Sequence, residues 1–309
     1  MKHIDFQPVL FDTIKNYNKE KFFTDLMAGI IVGIVALPLA IAFGIASGVS
    51  PEQGLVTAII AGFIISFLGG SNVQIGGPTG AFIIIVYGII QQFGTAGLAI
   101  ATVMAGIMLL LMGIFKLGTI IRFIPYPIVV GFTSGIALTI FTTQIKDLFG
   151  LTMDKVPADF ISKWSAYFQS FGTTNWIALA VGIGSILLIV VTPKFSKKIP
   201  GSLIAIIVMT IVSYLLRNHM GITGLETIGD RFEIKASLPV PNGLDFNLGT
   251  INELLPAAFT IAILGAIESL LSATVADGVT GHKHNSNTEL IAQGAANIVV
   301  PFFGGIPAT

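Results

Sequence analysis

Residues 67–82 read FLGGSNVQIGGPTGAF and place glycines, a proline and polar side chains between two long hydrophobic stretches. The stretch that follows, residues 79–92, holds about 14 residues, or about 21 Å of helix at 1.5 Å per residue. A helix needs about 20 apolar residues to cross the hydrocarbon core of a bilayer. The short helix therefore cannot cross alone, and the glycine-rich stretch before it is predicted to run at membrane depth as non-helical backbone.

The composition places the chain among membrane proteins. Of its 309 residues, 53% are hydrophobic and 10% are charged, whereas a soluble domain carries about 25% charged residues. Cysteine is absent, which excludes disulfides and thiol chemistry. The formal net charge is zero, so bulk charge gives no reason to expect a nucleic-acid partner. We predict an all-α polytopic membrane protein in contact with the lipid bilayer.

The hydropathy pattern predicts nine apolar segments. They cover residues 26–48, 53–69, 79–92, 95–115, 124–145, 174–192, 200–217, 255–277 and 287–304. A cytoplasmic N-terminus puts ten of the Lys and Arg residues inside and six outside, in agreement with the positive-inside rule. We therefore predict a multi-pass protein of the inner (plasma) membrane, with a cytoplasmic N-terminal segment at 1–25 and a transmembrane domain at 26–309.

An internal repeat appears when the chain is compared with itself. Residues 34–50 match 264–280 at an offset of 230, and residues 54–70 match 289–305 at an offset of 235. An insertion of five residues between the two matches explains the change of offset. Seven segments separate the copies, so the second copy enters the membrane from the opposite side. Inverted-topology repeats of this kind are typical of secondary transporters.

The repeat explains how polar backbone can lie at membrane depth. In inverted-repeat transporters, broken helices meet near the midplane and point their N-termini at the substrate. Residues 72–75, NVQI, are predicted to enter as a short strand, and the turn GGPTG opens a half-helix near Thr79. The free N–H groups of Gly80, Ala81 and Phe82 would bind an anion, and Thr79 would cap the helix and offer its hydroxyl. The alternative is an ordinary loop between two helices.

Four stretches, in order, resemble the SulP family of anion transporters, most closely its bacterial bicarbonate and dicarboxylate branches. They are ALPLAIAFGIASGVSPEQGL (36–55), FLGGSNVQIGGPTGAF (67–82), FIPYPIVVGFTSGIAL (123–138) and GAIESLLSATVADGVTGHKHNSNTELIAQGAAN (265–297). The resemblance implies a fold of seven plus seven inverted segments, with a core domain that moves against a gate domain. It also implies a homodimer, and an anion held between the half-helices of segments 3 and 10 with Ala40 and Phe43 at its flank.

The chain ends at GGIPAT (304–309), where the resemblance would place the start of the second half-helix. Segments 10–14 and the cytoplasmic STAS domain that usually follows them are therefore expected to lie outside these residues. We expect the 309-residue chain alone not to transport.

Glu268 is the acid that the segment boundaries place near the centre of a span. Acidic residues inside a membrane are expensive and are functional candidates by default. In the repeat it aligns with Pro38, where we expect the first copy to bend, and Ser272 lies one helical turn further on. Glu268 and Ser272 could bind a coupling ion, H⁺ or Na⁺. Some sodium-coupled members of the family resemble this stretch but carry Asp here, and the longer Glu268 favours H⁺. The alternative is a structural hydrogen bond between helices.

No nucleotide-binding or zinc-protease motif is present, and nothing indicates covalent catalysis, so an enzyme is not predicted. No cofactor is expected apart from the coupling ion, and His282 and His284 are expected to lie in a solvated loop. The favoured function is secondary active transport of a small anion such as bicarbonate, sulfate or fumarate. The alternatives are a passive anion channel of the same fold, a nucleobase:cation symporter of the related fold, or a membrane scaffold.

Overall fold

The computed structural model describes residues 6–15, 17–119, 126–153, 156–157, 159–195, 200–222, 224–232, 239–241, 243 and 248–309. The chain divides into two units. Unit 1 contains Met1–Val130 and Ile234–Thr309, and unit 2 contains Gly131–Glu233. All the candidate site residues lie in unit 1.

The described part of the chain is almost entirely helical. Its helices are α1 (Val9–Lys15), α2 (Lys19–Ala46), α3 (Pro51–Leu68), α4 (Ile83–Ile114), α5 (Tyr126–Leu148), α6 (Phe160–Ser170), α7 (Trp176–Phe195), α8 (Gly201–Asn218), α9 (Ile228–Arg231), α10 (Leu248–Thr280) and α11 (Ser286–Val299). Within the described residues, six helices are long and apolar enough to cross a membrane.

Unit 1 is built around α4, which packs against α10 and α11. The core contains apolar side chains from these helices, such as Phe82, Val86 and Leu270. Helices α4 and α11 cross closely because two glycines meet there: a Cβ on Gly106 would come within 2.8 Å of the carbonyl oxygen of Gly294. This packing holds the beginning of α4 inside the unit.

The predicted third and fourth segments are joined in α4 but separated by a sharp backbone break. Gly94 has φ 69° and ψ −176° inside the otherwise helical run, a conformation that is essentially restricted to glycine. The part before Gly94 is the short half-helix that the sequence predicts. The bend expected at Pro38 is not present as a break, because Pro38 lies inside the uninterrupted helix α2.

In unit 2, helices α7 and α8 pack together, and α6 lies in a stretch where the sequence predicts a loop. Asp159 caps α6 by accepting a hydrogen bond from the Ser162 N–H at 2.9 Å. Ion pairs hold the connection after α8: Arg217 donates two hydrogen bonds to Asp230, at 2.6 and 3.1 Å. The guanidinium of Arg217, with help from Thr227, holds the pKa of Asp230 well below its usual range.

Candidate functional site

The half-helix begins at Thr79, as the sequence predicts. Thr79 is the N-cap of a 3₁₀ turn, Gly80–Phe82, that leads directly into α4. Its backbone is extended, with φ −128° and ψ 152°, and its hydroxyl oxygen accepts a hydrogen bond from the Ala81 N–H at 3.4 Å. The Phe82 N–H donates to the Thr79 carbonyl at 3.3 Å. Both hydrogen bonds are long, and an anion could replace the Thr79 oxygens as the acceptor of these two N–H groups.

The hydroxyl of Thr79 also contacts the intramembrane acid. Thr79 Oγ1 donates a hydrogen bond to Glu268 Oε1 at 2.5 Å. The other carboxylate oxygen, Glu268 Oε2, is buried and makes no hydrogen bond within 3.5 Å among the described residues, although the Thr309 side chain lies close enough to the carboxylate to interact with it. The candidate anion site and the candidate coupling residue are therefore in direct contact, with one carboxylate oxygen available for a proton or for a cation.

The segment that leads to Thr79 is held from α10 and from the end of the second repeat copy. The Gln74 side chain donates to the hydroxyl of Ser269 at 2.9 Å and to its carbonyl at 3.1 Å. Gly77 and Thr309 exchange two backbone hydrogen bonds, at 3.0 and 3.1 Å. The short strand predicted from NVQI is absent from the described structure, since residues 72–75 have no regular secondary structure.

The remaining predicted site residues lie in less direct positions. Ala40 is 2% exposed and sits where α2 crosses α3, because Gly54 has no side chain and approaches the Ala40 carbonyl. Phe43 lies one turn further along α2 and is half-buried. The Ser272 hydroxyl donates to the backbone carbonyls of Glu268 and Ser269 rather than to the Glu268 carboxylate. Roles for Ala40 and Phe43 in binding the anion, and for Ser272 in binding the coupling ion, stay predictions.

A second acid, Glu289, is completely buried and was missed by the sequence analysis. Its Oε2 accepts the Gly70 N–H at 2.9 Å, and its Oε1 accepts the Gln293 side-chain amide at 3.2 Å. Asn285, the N-cap of α11, donates its own N–H to the Gly70 carbonyl at 2.8 Å. A polar stripe at i, i+4 and i+8, Glu289, Gln293 and Asn297, was the available signal, because one face of a spanning helix should be apolar.

The loop after α11 is held by α3, just as the loop after α3 is held by α11. Thr57 accepts the Ile306 N–H at 2.8 Å, and the Gln53 side chain donates to the Gly304 carbonyl at 3.0 Å. Asn297 bonds both backbone groups of Ala308, at 2.8 and 2.9 Å. In each repeat copy, the loop that follows the second helix is therefore held by the second helix of the other copy.

The prediction for His284 was wrong. Its side chain is only 9% exposed, and its ring bonds Asp277 Oδ2 at 2.7 Å and the Ser286 hydroxyl at 2.9 Å. These contacts join the end of α10 to the start of α11. Within the described residues, no group of three or more His, Asp or Glu side chains could hold a metal ion.

The model of the sulfate permease family matches residues 22–309. The chain belongs to the sulfate permease (SulP) family. Its members are transporters and not enzymes, as the motifs and the absence of catalytic signatures predicted.

SulP relatives with curated names are similar over most of this chain. The putative sulfate transporter YvdB of Bacillus subtilis (strain 168) is 48% identical over 296 residues, which are 96% of this chain and 55% of that protein. The bicarbonate transporter BicA of Picosynechococcus sp. is 32% identical over 301 residues, covering 91% of this chain and 50% of that protein. The chain spans about half the length of these curated relatives.

Solved structures agree on the fold. The transmembrane domain of a cyanobacterial bicarbonate transporter, BicA, superposes with a TM-score of 0.79 at 29% identity, covering 92% of this chain and 73% of that one. The murine anion transporter Slc26a9 in its inward-facing state superposes with a TM-score of 0.84, covering 98% of this chain and 54% of that one. Its 19% identity supports the fold alone. The chain is thus an all-α polytopic membrane protein of the SulP fold.

Proposed function

We propose that the complete protein is a secondary active transporter of a small anion, bound at the N-terminus of the half-helix and coupled to H⁺ or Na⁺. The observation that carries the proposal is the contact between Thr79, which caps that helix, and Glu268. The N-terminus of a helix carries about half a positive charge and favours anions. An ionisable group that touches the cap can sense whether an anion is present.

The hydrogen bond between Thr79 and Glu268 favours H⁺ as the coupling ion, because its direction depends on whether Glu268 is ionised. An ionised carboxylate only accepts hydrogen bonds, so the hydroxyl hydrogen of Thr79 points to Glu268. When Glu268 carries a proton, it can donate to Thr79, and the hydroxyl hydrogen becomes available to an anion. A Na⁺ ion at Glu268 Oε2 would leave Glu268 ionised and would not release the hydroxyl. Proton binding and anion binding therefore support each other.

The choice of anion is inferred from the names of the relatives and from the charged residues of unit 1. The relatives are named as sulfate and bicarbonate transporters. The described part of unit 1 contains no arginine, so no guanidinium there offsets the second negative charge of a divalent oxyanion. We therefore favour a monovalent anion such as bicarbonate over sulfate or fumarate. The proposed orientation has the N-terminus in the cytoplasm, and the proposed assembly of the complete protein is a homodimer.

The test is uptake of radiolabelled bicarbonate, sulfate and fumarate by proteoliposomes that contain the complete gene product. A transporter accumulates one anion above its external concentration when a proton or Na⁺ gradient is imposed, and accumulation stops when the gradient is collapsed. A passive channel would only equilibrate the anion. Thr79→Val should abolish accumulation. Thr102→Val is the matched control, since the Thr102 hydroxyl bonds only within α4, to the Leu98 carbonyl at 2.7 Å.

A further inference from the structure

Glu289 is the buried acid that the proposed transport cycle does not use. It lies in the first turn of α11, has 0% exposure, and accepts hydrogen bonds from Gly70 and Gln293. A buried carboxylate is costly unless donors surround it. Here these two donors, the backbone N–H of Ser71 and the N-terminus of α11 offset that cost. A residue that is expensive to bury and has no role in packing an apolar core needs another explanation.

Its partner Gly70 is the first residue of the segment that leads to the half-helix. Both backbone groups of Gly70 are bonded to α11: the N–H to Glu289 Oε2 at 2.9 Å and the carbonyl to the Asn285 N–H at 2.8 Å. No side chain fits at this position, because a Cβ on Gly70 would overlap the Asn285 carbonyl. We call Gly70, Asn285 and Glu289 the Gly70 joint.

The Gly70 joint is the first of several anchors that fix the path of the chain to Thr79. After it come the Gln74 side chain on Ser269 and the backbone pair of Gly77 with Thr309. Residues 74–79 lack a helix or strand of their own, so these anchors determine where the helix cap lies. Binding groups must be held to within about 0.5 Å of their working position to be effective.

We propose that Glu289 is a positioning residue: through the Gly70 joint it fixes the entry of residues 70–79 and so sets the location of Thr79 and the half-helix N-terminus. The inference rests on the proposed anion site. Glu289 acts through the length of its side chain and its ability to accept a hydrogen bond. Its negative charge is not required.

Two conservative variants distinguish the effect of the length of the Glu289 side chain from the effect of its charge. Glu289→Gln keeps the length of the side chain and one carbonyl oxygen for the Gly70 N–H. Its new amide can donate to the Gln293 oxygen, which is buried without a partner in the described structure, after the Gln293 amide reverses. Glu289→Asp keeps the charge but is shorter by one CH₂, so its oxygens no longer reach Gly70. A positioning role thus predicts that Gln preserves the site and Asp damages it.

The experiment measures KM and maximal rate for anion uptake by the complete protein in proteoliposomes, with thermal unfolding as a check on the fold. We expect Glu289→Gln to keep the wild-type KM. Glu289→Asp should raise KM by roughly ten- to a hundred-fold, the range seen when outer hydrogen-bond partners of metal sites are removed. Gly70→Ala breaks the same joint from the other side and should raise KM similarly, and the double variant Gly70→Ala/Glu289→Asp should be no worse than either single one. Gly278→Ala is the control, because open space surrounds that glycine.

Each other result contradicts the inference. If Asp behaves as wild type and Gln is impaired, the charge of Glu289 matters and the positioning role is wrong. If the variants lower the unfolding temperature but leave KM unchanged, Glu289 only stabilises the fold. If Glu289→Asp or Gly70→Ala does not fold, Glu289→Gln decides: a KM that differs from the wild-type value contradicts the positioning role. Failure of the wild type to take up any of the three anions would instead overturn the proposed function, and with it this inference.

Discussion

Replacing Glu268 by glutamine is expected to make anion binding independent of pH and to strengthen it at high pH. Glutamine resembles the protonated acid in shape and in neutrality. Its amide can donate to Thr79 Oγ1, which releases the hydroxyl hydrogen for the anion. The variant should therefore behave as wild type with a permanently protonated Glu268, able to bind the anion but unable to exchange the proton that drives uptake.

The expected size follows from the distance between the two charges. An anion that accepts a hydrogen bond from Thr79 Oγ1 at about 3 Å lies at most about 5.5 Å from Glu268 Oε1, because that oxygen is 2.5 Å from Thr79 Oγ1. Two unit negative charges at this separation repel by about 3 kcal/mol at an effective dielectric constant of about 20. At 1.36 kcal/mol per tenfold, ionisation of Glu268 weakens monovalent anion binding by roughly 150-fold.

The assay is equilibrium binding of labelled anion to the purified complete protein, at mildly acidic and mildly alkaline pH, with and without Na⁺. Wild-type affinity should fall as the pH rises through the range in which Glu268 ionises, by roughly the factor above or more. The Glu268→Gln affinity should stay constant and exceed the wild-type value at the higher pH. Glu253→Gln, a change of an exposed acid on the same helix, should retain the wild-type pH dependence. The reasoning is refuted if Glu268→Gln binds more weakly at every pH, or if wild-type affinity follows Na⁺ and not pH.

Three further predictions concern the stability of the complete protein. Thr57→Val removes the acceptor of the buried Ile306 N–H and should cost about 1–3 kcal/mol, measured by thermal unfolding. Gly94→Ala should cost about 1–3 kcal/mol in the same assay, although space is available for the methyl group, because alanine is strained at φ 69° and ψ −176°. Arg217 lowers the pKa of Asp230, so this ion pair stabilises its loop at pH values above the usual pKa of Asp. The contribution is lost as the pH falls through the lowered pKa. Asp230→Asn should therefore speed hydrogen exchange of the loop at neutral pH and make no difference in strong acid.

The half-helix could be predicted from the sequence because it depends on local chemistry. Pro78 removes a backbone donor and Thr79 supplies a cap, and both signals are independent of the rest of the chain. The break at Gly94 was also predictable, because the apolar run on either side of it has the wrong length for a single span. Both features follow from how a few neighbouring residues restrict the backbone.

The contacts made by the half-helix could not be predicted in the same way. Glu289 lies 219 residues from Gly70 in the sequence, and an acid in the first turn of a helix is usually a favourable surface residue. His284 was assigned to a solvated loop because two histidines are too few ligands for a structural metal site, whereas its partner Asp277 comes from the preceding helix. The predicted strand is absent because none of the backbone hydrogen bonds described outside the helices involves residues 72–75, so no partner strand lies beside NVQI.

The two repeat copies hold each other's loops symmetrically in geometry but not in chemistry. The loop of the first copy is bonded to an acid, Glu289, and its half-helix cap touches a second acid, Glu268. The loop of the second copy is bonded to neutral side chains, Thr57 and Asn297. A change of protonation at Glu268 therefore acts directly on the half-helix cap of the first copy, whereas the loop of the second copy meets this acid through the side chain of Thr309. A perfectly symmetric repeat would bind an anion between two equivalent helix ends. Coupling to a single proton requires that the two copies differ at an ionisable residue. Since the Glu289 position is explained by reach alone, Glu268 is the residue at which we expect that break to matter for transport.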